Sequence, residues 1–126
     1  MINELSYAVI GAAMRVHSEF GPGMREEVCH AALVAELRRD GRNVREQVSV
    51  PVAVGGRTID KAFRVDLIVD DQLVVEIKCV KAIGLHDIKQ VAGYLRVMGL
   101  RLGLILNFQA PSMRDGIKRV VNGFSE

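Results

Sequence analysis

The sequence contains few aromatic residues and few cysteines. Its only aromatics are four Phe and two Tyr, with no Trp. The core must therefore be aliphatic, and an aromatic platform that stacks single-stranded bases is not expected. The two cysteines, Cys29 and Cys79, are too few for a disulfide framework and lack zinc-ligand spacing. We therefore expect reduced thiols and a cytoplasmic location.

No segment has the pattern of a signal peptide or a membrane span. The first residues lack a basic region followed by an apolar stretch. No apolar run approaches the ~20 residues that cross a bilayer. The net charge of +2 is too small to indicate nucleic acid as a partner by itself. The length of 126 residues and the hydrophobic content of 49% predict one globular domain over residues 1–126.

Hydrophobic periodicity predicts four helices that cover a mixed sheet of four strands. The predicted helices cover residues 3–18, 24–40, 86–98 and 112–122, and the predicted strands cover 44–54, 59–69, 73–80 and 101–108. The order α-α-β-β-β-α-β-α predicts an α/β (α+β mixed sheet) domain in which helices flank four strands. Pro51 in the first strand indicates a position at the sheet edge, because proline cannot donate to a ladder.

The second and third predicted strands form a hairpin that carries the candidate chemistry. Their odd-numbered positions are apolar, so we expect one continuous apolar face. A loop of three residues, 70–72, preserves that face. It also places Asp66 opposite Glu76, with Lys78 two residues further on the same side.

Two carboxylates that face each other repel unless a cation or solvent screens them. Hard divalent cations such as Mg²⁺ prefer carboxylate and carbonyl oxygens. Asp66 and Glu76 followed by Lys78 therefore indicate a metal site with a lysine beside it, a combination suited to phosphodiester hydrolysis. The alternative is a solvent-exposed ladder with a local Glu76–Lys78 ion pair. Spacing alone favours this alternative, because Glu-x-Lys is common on exposed strands.

These residues resemble the core motif of the PD-(D/E)xK nucleases, a superfamily with a restriction-endonuclease-like fold. Val65 and Asp66 match the first half of the motif, with Val in place of Pro, and Glu76-Ile77-Lys78 matches the second half. The resemblance implies a metal-dependent nuclease that hydrolyses phosphodiester bonds in DNA, with RNA as the alternative substrate.

The wider chain resembles the small GxxExxY family within this superfamily. The motif that names the family falls on residues 23–29, where Glu26 is present and Cys29 replaces the Tyr. Gln90 and Tyr94 resemble the QxxxY motif of one nuclease branch, and their spacing places both on one flank of a helix.

The resemblance also implies a role for each site residue. Mg²⁺ or Mn²⁺ is bound by Asp66, Glu76 and the Ile77 carbonyl, with Glu26 as a further acidic group acting through metal-bound water. Lys78 acts on the nucleophile or the scissile phosphate, Gln90 orients the site, and Tyr94 supports it.

Basic residues form two candidate phosphate-binding groups. They are Arg38, Arg39 and Arg42 in the first group and Lys118 and Arg119 in the second. The alternative is that both are simply solvated surfaces. We expect no separate recognition domain within these 126 residues, so specificity would require a homodimer or a recruiting protein partner.

The competing function is a catalytically inactive nucleic-acid-binding or protein-interaction module on the same fold. Geometry distinguishes the two functions. In an enzyme the carboxyl groups of Glu26, Asp66 and Glu76 converge on one ion. In a module Glu26 points elsewhere and an ion pair occupies Lys78.

Overall fold

The computed structural model describes residues 2–122, which contain three α-helices and five strands. The elements are α1 (Ile2–Phe20), α2 (Glu26–Arg39), β1 (Val44–Val54), β2 (Arg57–Val69), β3 (Leu73–Lys78), α3 (Leu85–Met98), β4 (Leu102–Asn107) and β5 (Ile117–Val121), with a 3₁₀ turn at Arg114–Gly116 before β5. The predicted α/β architecture, a mixed sheet flanked by helices, is confirmed.

All five strands belong to one sheet in the order β1-β2-β3-β4-β5. β3 and β4 run parallel and are connected through α3, whereas the other neighbouring pairs are antiparallel. β1 is an edge strand, as Pro51 predicts. The parallel pair places the carboxyl ends of β3 and β4 side by side, with Lys78 in register with Asn107.

The predicted last helix, 112–122, is wrong, and the sheet has five strands instead of four. Residues 117–121 form β5, which pairs antiparallel with β4 from Leu106–Ile117 to Leu102–Val121. Without β5, the buried strand β4 would leave its backbone donors and acceptors unpaired, which is costly away from water. Tertiary pairing therefore overrides the weak helical pattern of this short segment.

Helices cover both faces of the sheet. α1 and α2 pack on one face and α3 packs on the other. In α1 the buried apolar residues recur every three or four positions, as one face of a helix requires: Leu5, Val9, Ala12, Ala13 and Val16. Within residues 2–122, none of the helices combines the length and apolar character that crossing a bilayer demands.

The hairpin between β2 and β3 has the predicted loop and register. Val69 pairs with Leu73, and the Gln72 N–H donates to the Val69 carbonyl at 3.0 Å. Asp70 and Asp71 have positive φ angles of 52° and 56°, a region that Asp tolerates better than most residues. The Asp70 carboxylate also accepts the Asn43 N–H at 2.8 Å, which stabilises this turn.

The apolar face of the hairpin is less continuous than the alternation predicts. Leu67 packs with the core under α1 and α2, whereas Val65 packs with the core under α3. The change occurs at Asp66, where the β1–β2 pairing skips one position and the facing residue, Gln47, has a φ of 50°. On either side of this unpaired position the register is unchanged, but Val65 and Leu67 belong to different cores.

Candidate active site

Asp66 and Glu76 lie where the regular ladder between β2 and β3 ends. The last paired residues are Leu67 and Val75. Beyond them, Glu76 Oε2 accepts the Asp66 backbone N–H at 2.9 Å, and Asp66 Oδ2 accepts the Ile77 backbone N–H at 2.8 Å. Each carboxylate therefore takes a backbone donor from the opposite strand. Among residues 2–122 the second oxygen of each carboxylate has no hydrogen-bond partner.

Burial makes the Glu76 carboxyl difficult to ionise. Glu76 is 7% exposed. Burial is the main cause, and the negative charge of Asp66 the second, that raises the pKa of Glu76 to about 7. The charge of Glu26 raises this pKa further, whereas the Asp66 N–H and the charge of Lys78 oppose the rise. Ionised Glu76 and Asp66 would therefore concentrate negative charge in a poorly solvated place, which a bound cation would stabilise.

This donor set fits a hard divalent cation only in part. Asp66 and Glu76 offer adjacent carboxylate oxygens of the type that Mg²⁺ and Mn²⁺ prefer. In the described part of the chain, however, no three His, Cys, Asp or Glu side chains are grouped to hold a metal ion. Glu26 is exposed at the start of α2 and contributes charge to the site, but the structure does not group it as a third ligand.

Lys78 is the last residue of β3, and its ammonium lies 3.5 Å from the Asp87 carboxylate. Asp87 also accepts the Gly84 N–H at 2.9 Å at the start of α3. This hydrogen bond, with the charge of Lys78, holds the pKa of Asp87 below its usual value. The ion pair of Lys78 is thus with Asp87 and not with Glu76. The sequence analysis missed Asp87, although a carboxylate three residues after a helix start is a known capping pattern.

α3 supplies the two remaining predicted site residues. Gln90 is exposed on this helix. The Tyr94 ring stacks on Phe63 of β2, with centroids 4.2 Å apart and planes inclined by 6°. Burial, with the nearby charges of Glu76 and Asp66, raises the pKa of the Tyr94 hydroxyl. Tyr94 therefore lies close enough to the two carboxylates for their charge to affect its pKa, and stacking on Phe63 holds its ring in this position.

Asn107 fixes the backbone that follows Lys78, a role that the sequence analysis did not anticipate. Its side chain accepts the Val80 N–H at 3.1 Å and donates to the Val80 carbonyl at 2.9 Å. The neighbouring Phe108 N–H donates to the Lys78 carbonyl at 2.9 Å. A polar residue at the end of a buried apolar strand was the available signal, because buried amides require such partners.

Cys29, where the resembling family has Tyr, is a buried thiol in contact with Cys79. Both thiols are free, as the composition predicts. Burial raises the pKa of Cys29 to about 11, so this thiol stays protonated and unreactive. No catalytic role follows from this position.

Acidic partners engage the first predicted basic group. The contacts are Arg38–Glu46 at 3.4 Å, Arg39–Glu36 at 3.2 Å and Arg42–Asp70 at 3.0 Å. In the second group, Arg119 donates to the Asn3 side chain at 2.8 Å, and Lys118 is exposed on β5. Of the first group, only Arg42 contacts the hairpin turn, through Asp70. The predicted contact of both groups with phosphates remains a prediction.

The fold and the site together define an α/β domain with a carboxylate pair and a lysine at the end of a central hairpin. A family model described as the PD-(D/E)XK nuclease superfamily matches residues 3–120. The chain therefore belongs to the PD-(D/E)XK nuclease superfamily.

The fold is similar to that of a protein whose structure has been solved. The crystal structure of SSO0001 superposes with a TM-score of 0.57 at 21% sequence identity, over 79% of this chain and 52% of that one. This chain thus spans about half the length of that protein, and the likeness extends to the fold alone. No curated protein matches the chain.

Proposed function

We propose that this protein is a divalent-metal-dependent nuclease that hydrolyses phosphodiester bonds in DNA, with RNA as the alternative substrate. The observation that carries the proposal is the Asp66–Glu76 pair. Each carboxylate is held by the opposite strand and, among residues 2–122, keeps one oxygen without a hydrogen-bond partner, in a chain that belongs to a nuclease superfamily. The high pKa of Glu76 adds support, because a bound cation would offset the repulsion that raises it.

Asp66, Glu76 and the Ile77 carbonyl are the residues that would hold Mg²⁺ or Mn²⁺, with Glu26 as an outer acidic group. When bound, such an ion activates water and stabilises charge on a phosphate. The chain's own contribution is to hold these oxygens in place through the backbone hydrogen bonds of the hairpin.

Lys78 would stabilise the negative charge that develops on the scissile phosphate. The ion pair with Asp87 holds this ammonium near the end of β3. Gln90, exposed on α3, would orient the substrate or water, and Tyr94 would support the carboxylates from its stack on Phe63.

We further propose that the chain is a GxxExxY-type member of the superfamily and that residues 1–126 act as one domain. In this proposal the protein acts in the cytoplasm, and a homodimer or a protein partner supplies specificity. Cys29, which stands where that family has Tyr, is buried in α2.

A calorimetric titration of Mn²⁺ into the metal-free protein tests the proposed site. We expect binding in the wild type, loss of binding in Asp66→Ala, and unchanged binding in Glu27→Gln. Glu27 is the matched control because it is a carboxylate in the same turn as Glu26 and points to solvent, with its side chain 72% exposed. Equal Mn²⁺ affinity in the wild type and Asp66→Ala would contradict the assignment.

The second candidate is the catalytically inactive module, which two observations favour. Lys78 is paired with Asp87, and the three predicted carboxyl groups are not clustered as metal ligands within residues 2–122. Cleavage assays with supercoiled DNA, linear DNA and RNA in Mg²⁺ and Mn²⁺ separate the candidates. Metal-dependent cleavage that Glu76→Ala abolishes supports the enzyme. Metal-independent nucleic-acid binding without cleavage supports the module.

A further inference from the structure

A cleft of about 360 Å³ opens beyond the carboxyl ends of β3 and β4. Its walls include the loop after Lys78, the start of α3 and the turn before β5. Asn107, in register with Lys78 on the neighbouring strand, lines its floor. The cleft therefore adjoins the candidate active site, and none of the proposed metal ligands lines it.

We infer that this cleft binds one nucleoside phosphate, with Lys81 and Lys118 holding the phosphate and aliphatic side chains packing against the sugar and base. As a subsite for the strand being cut, the inference rests on the proposed function. As a site for a nucleoside phosphate in general, it stands on the chemistry of the cleft alone.

The charges on the rim suit one phosphate group. Lys81 and Lys118 are both exposed, and neither has a hydrogen-bond or ion-pair partner within residues 2–122. They differ in this respect from the paired arginines of α2. Asp115 lies on the same rim, so the three charges sum to +1. A single phosphate group suits that sum better than a crowded run of phosphates.

The walls offer apolar contact in place of aromatic stacking. Ile83, Ile88 and Ile117 line the cleft, and each is only partly buried by the protein. Branched aliphatic side chains can cover the faces of a sugar and a base, although they lack the stacking strength of an aromatic ring. The volume lies at the low end of the ~300–1,000 Å³ typical of ligand sites, which suits one nucleotide and excludes a duplex.

The cleft is also held in shape before a ligand arrives. Asn107 is 3% exposed, and its side chain accepts the Val80 N–H and donates to the Val80 carbonyl. The loop that carries Lys81 is therefore anchored at its start. Pre-organised sites lose less entropy on binding than mobile ones.

The direct test uses isoleucine δ1-methyl NMR of the metal-free protein with thymidine 5′-phosphate as the probe. We expect the methyl signals of Ile83, Ile88 and Ile117 to shift, while those of Ile10 and Ile59, which do not line the cleft, stay in place. Inorganic phosphate and thymidine, titrated separately, should each bind more weakly than the nucleotide. Absence of shifts at the three cleft methyls would overturn the inference.

The variants test the two lysines. Lys81→Gln combined with Lys118→Gln should weaken thymidine 5′-phosphate binding about tenfold, the effect of losing charge-assisted contacts. Lys61→Gln, an exposed lysine on β2 outside the cleft, is the control and should bind as the wild type does. Unchanged circular dichroism would show that the double variant folds, and equal affinity in the folded double variant would refute the role of the lysines.

Two further experiments ask whether the bound nucleotide belongs to a strand or is free, and whether this inference holds independently of the proposed function. If hexathymidylate competes with the probe, the cleft binds a nucleotide of a strand. The salt dependence of hexathymidylate affinity should then have a slope about 1 lower in Lys118→Gln than in the wild type. A hexathymidylate that does not compete assigns the cleft to a free nucleotide. In Asp66→Ala the cleft methyls should still shift. Nucleotide binding without any cleavage would refute only the proposed function, and cleavage without cleft shifts would refute only this inference.

Discussion

Replacing Glu76 with glutamine removes an ionisable group that the fold buries beside another carboxylate. Burial and the charge of Asp66 raise the pKa of Glu76 from an ordinary 4.5 to about 7. Between these values the folded, metal-free protein binds more protons than the unfolded chain. The free energy of unfolding therefore falls as pH rises through this window. The stability is fully present below about pH 4.5 and is lost as pH passes 7.

The size of the effect follows from the same two pKa values. A change from 4.5 to about 7 corresponds to about 3 kcal/mol at about 1.4 kcal/mol per pKa unit. Glutamine keeps an oxygen that can accept the Asp66 N–H, but its buried amide adds donors that cost about 1 kcal/mol. At pH 8 we expect metal-free Glu76→Gln to be about 2 kcal/mol more stable than the wild type. At pH 4 we expect the variant to be about 1 kcal/mol less stable than the wild type, because Glu76 is then protonated in both states and only the cost of the buried amide remains.

Urea denaturation followed by circular dichroism, in EDTA at pH 4 to 8.5, measures this difference. Glu27→Gln serves as the control, because this exposed carboxylate should give a small change in stability that lacks the rise with pH. Adding Mn²⁺ should raise the unfolding free energy of the wild type more than that of Glu76→Gln. A difference between Glu76→Gln and wild type that is the same at pH 4 and pH 8 would refute the reasoning.

Three further predictions concern stability and are checked by the same denaturation assay. Gly116→Ala should destabilise the protein by about 2 kcal/mol, because a Cβ there would overlap the carbonyl oxygen of Asn107. Gly93→Ala in α3, where nothing lies within 4 Å of the added Cβ, should instead stabilise it by about 0.5–1 kcal/mol. If Gly116→Ala and Gly93→Ala both lowered the free energy of unfolding, the close approach at position 116 would not explain the loss of stability there. Asp87→Ala should cost about 1 kcal/mol through the lost hydrogen bond to the Gly84 N–H, and Asp87→Asn, which keeps an acceptor, should cost less.

The central hairpin was predictable because its information is local. Alternating apolar residues and a short loop define the pairing of Val69 with Leu73, and that pairing sets Asp66 beside Glu76. A shift by one residue would move the apolar side chains of a strand to the wrong face, so few registers are compatible with the pattern. The helix stripe of α1 was predictable for the same reason, since its period repeats within a few turns.

The site's finer contacts were not predictable, because their partners are remote in sequence or ambiguous in pattern. The Asn107 side chain meets Val80 across 27 residues, and only the parallel packing of β3 and β4 brings them together. Lys78 could have paired with Glu76, two residues away. The start of α3 places Asp87 against it instead.

The sequence by itself determined the aliphatic core, the order of most helices and strands, and the carboxylate pair of the hairpin, because each depends on composition or on short-range periodicity. Tertiary structure decided that residues 117–121 form a strand, that the two sides of Asp66 pack into different cores, and that Glu26 stays exposed while Glu76 is buried. These outcomes depend on which backbone edges and charges meet after the chain has folded. Local propensity carries no information about those partners.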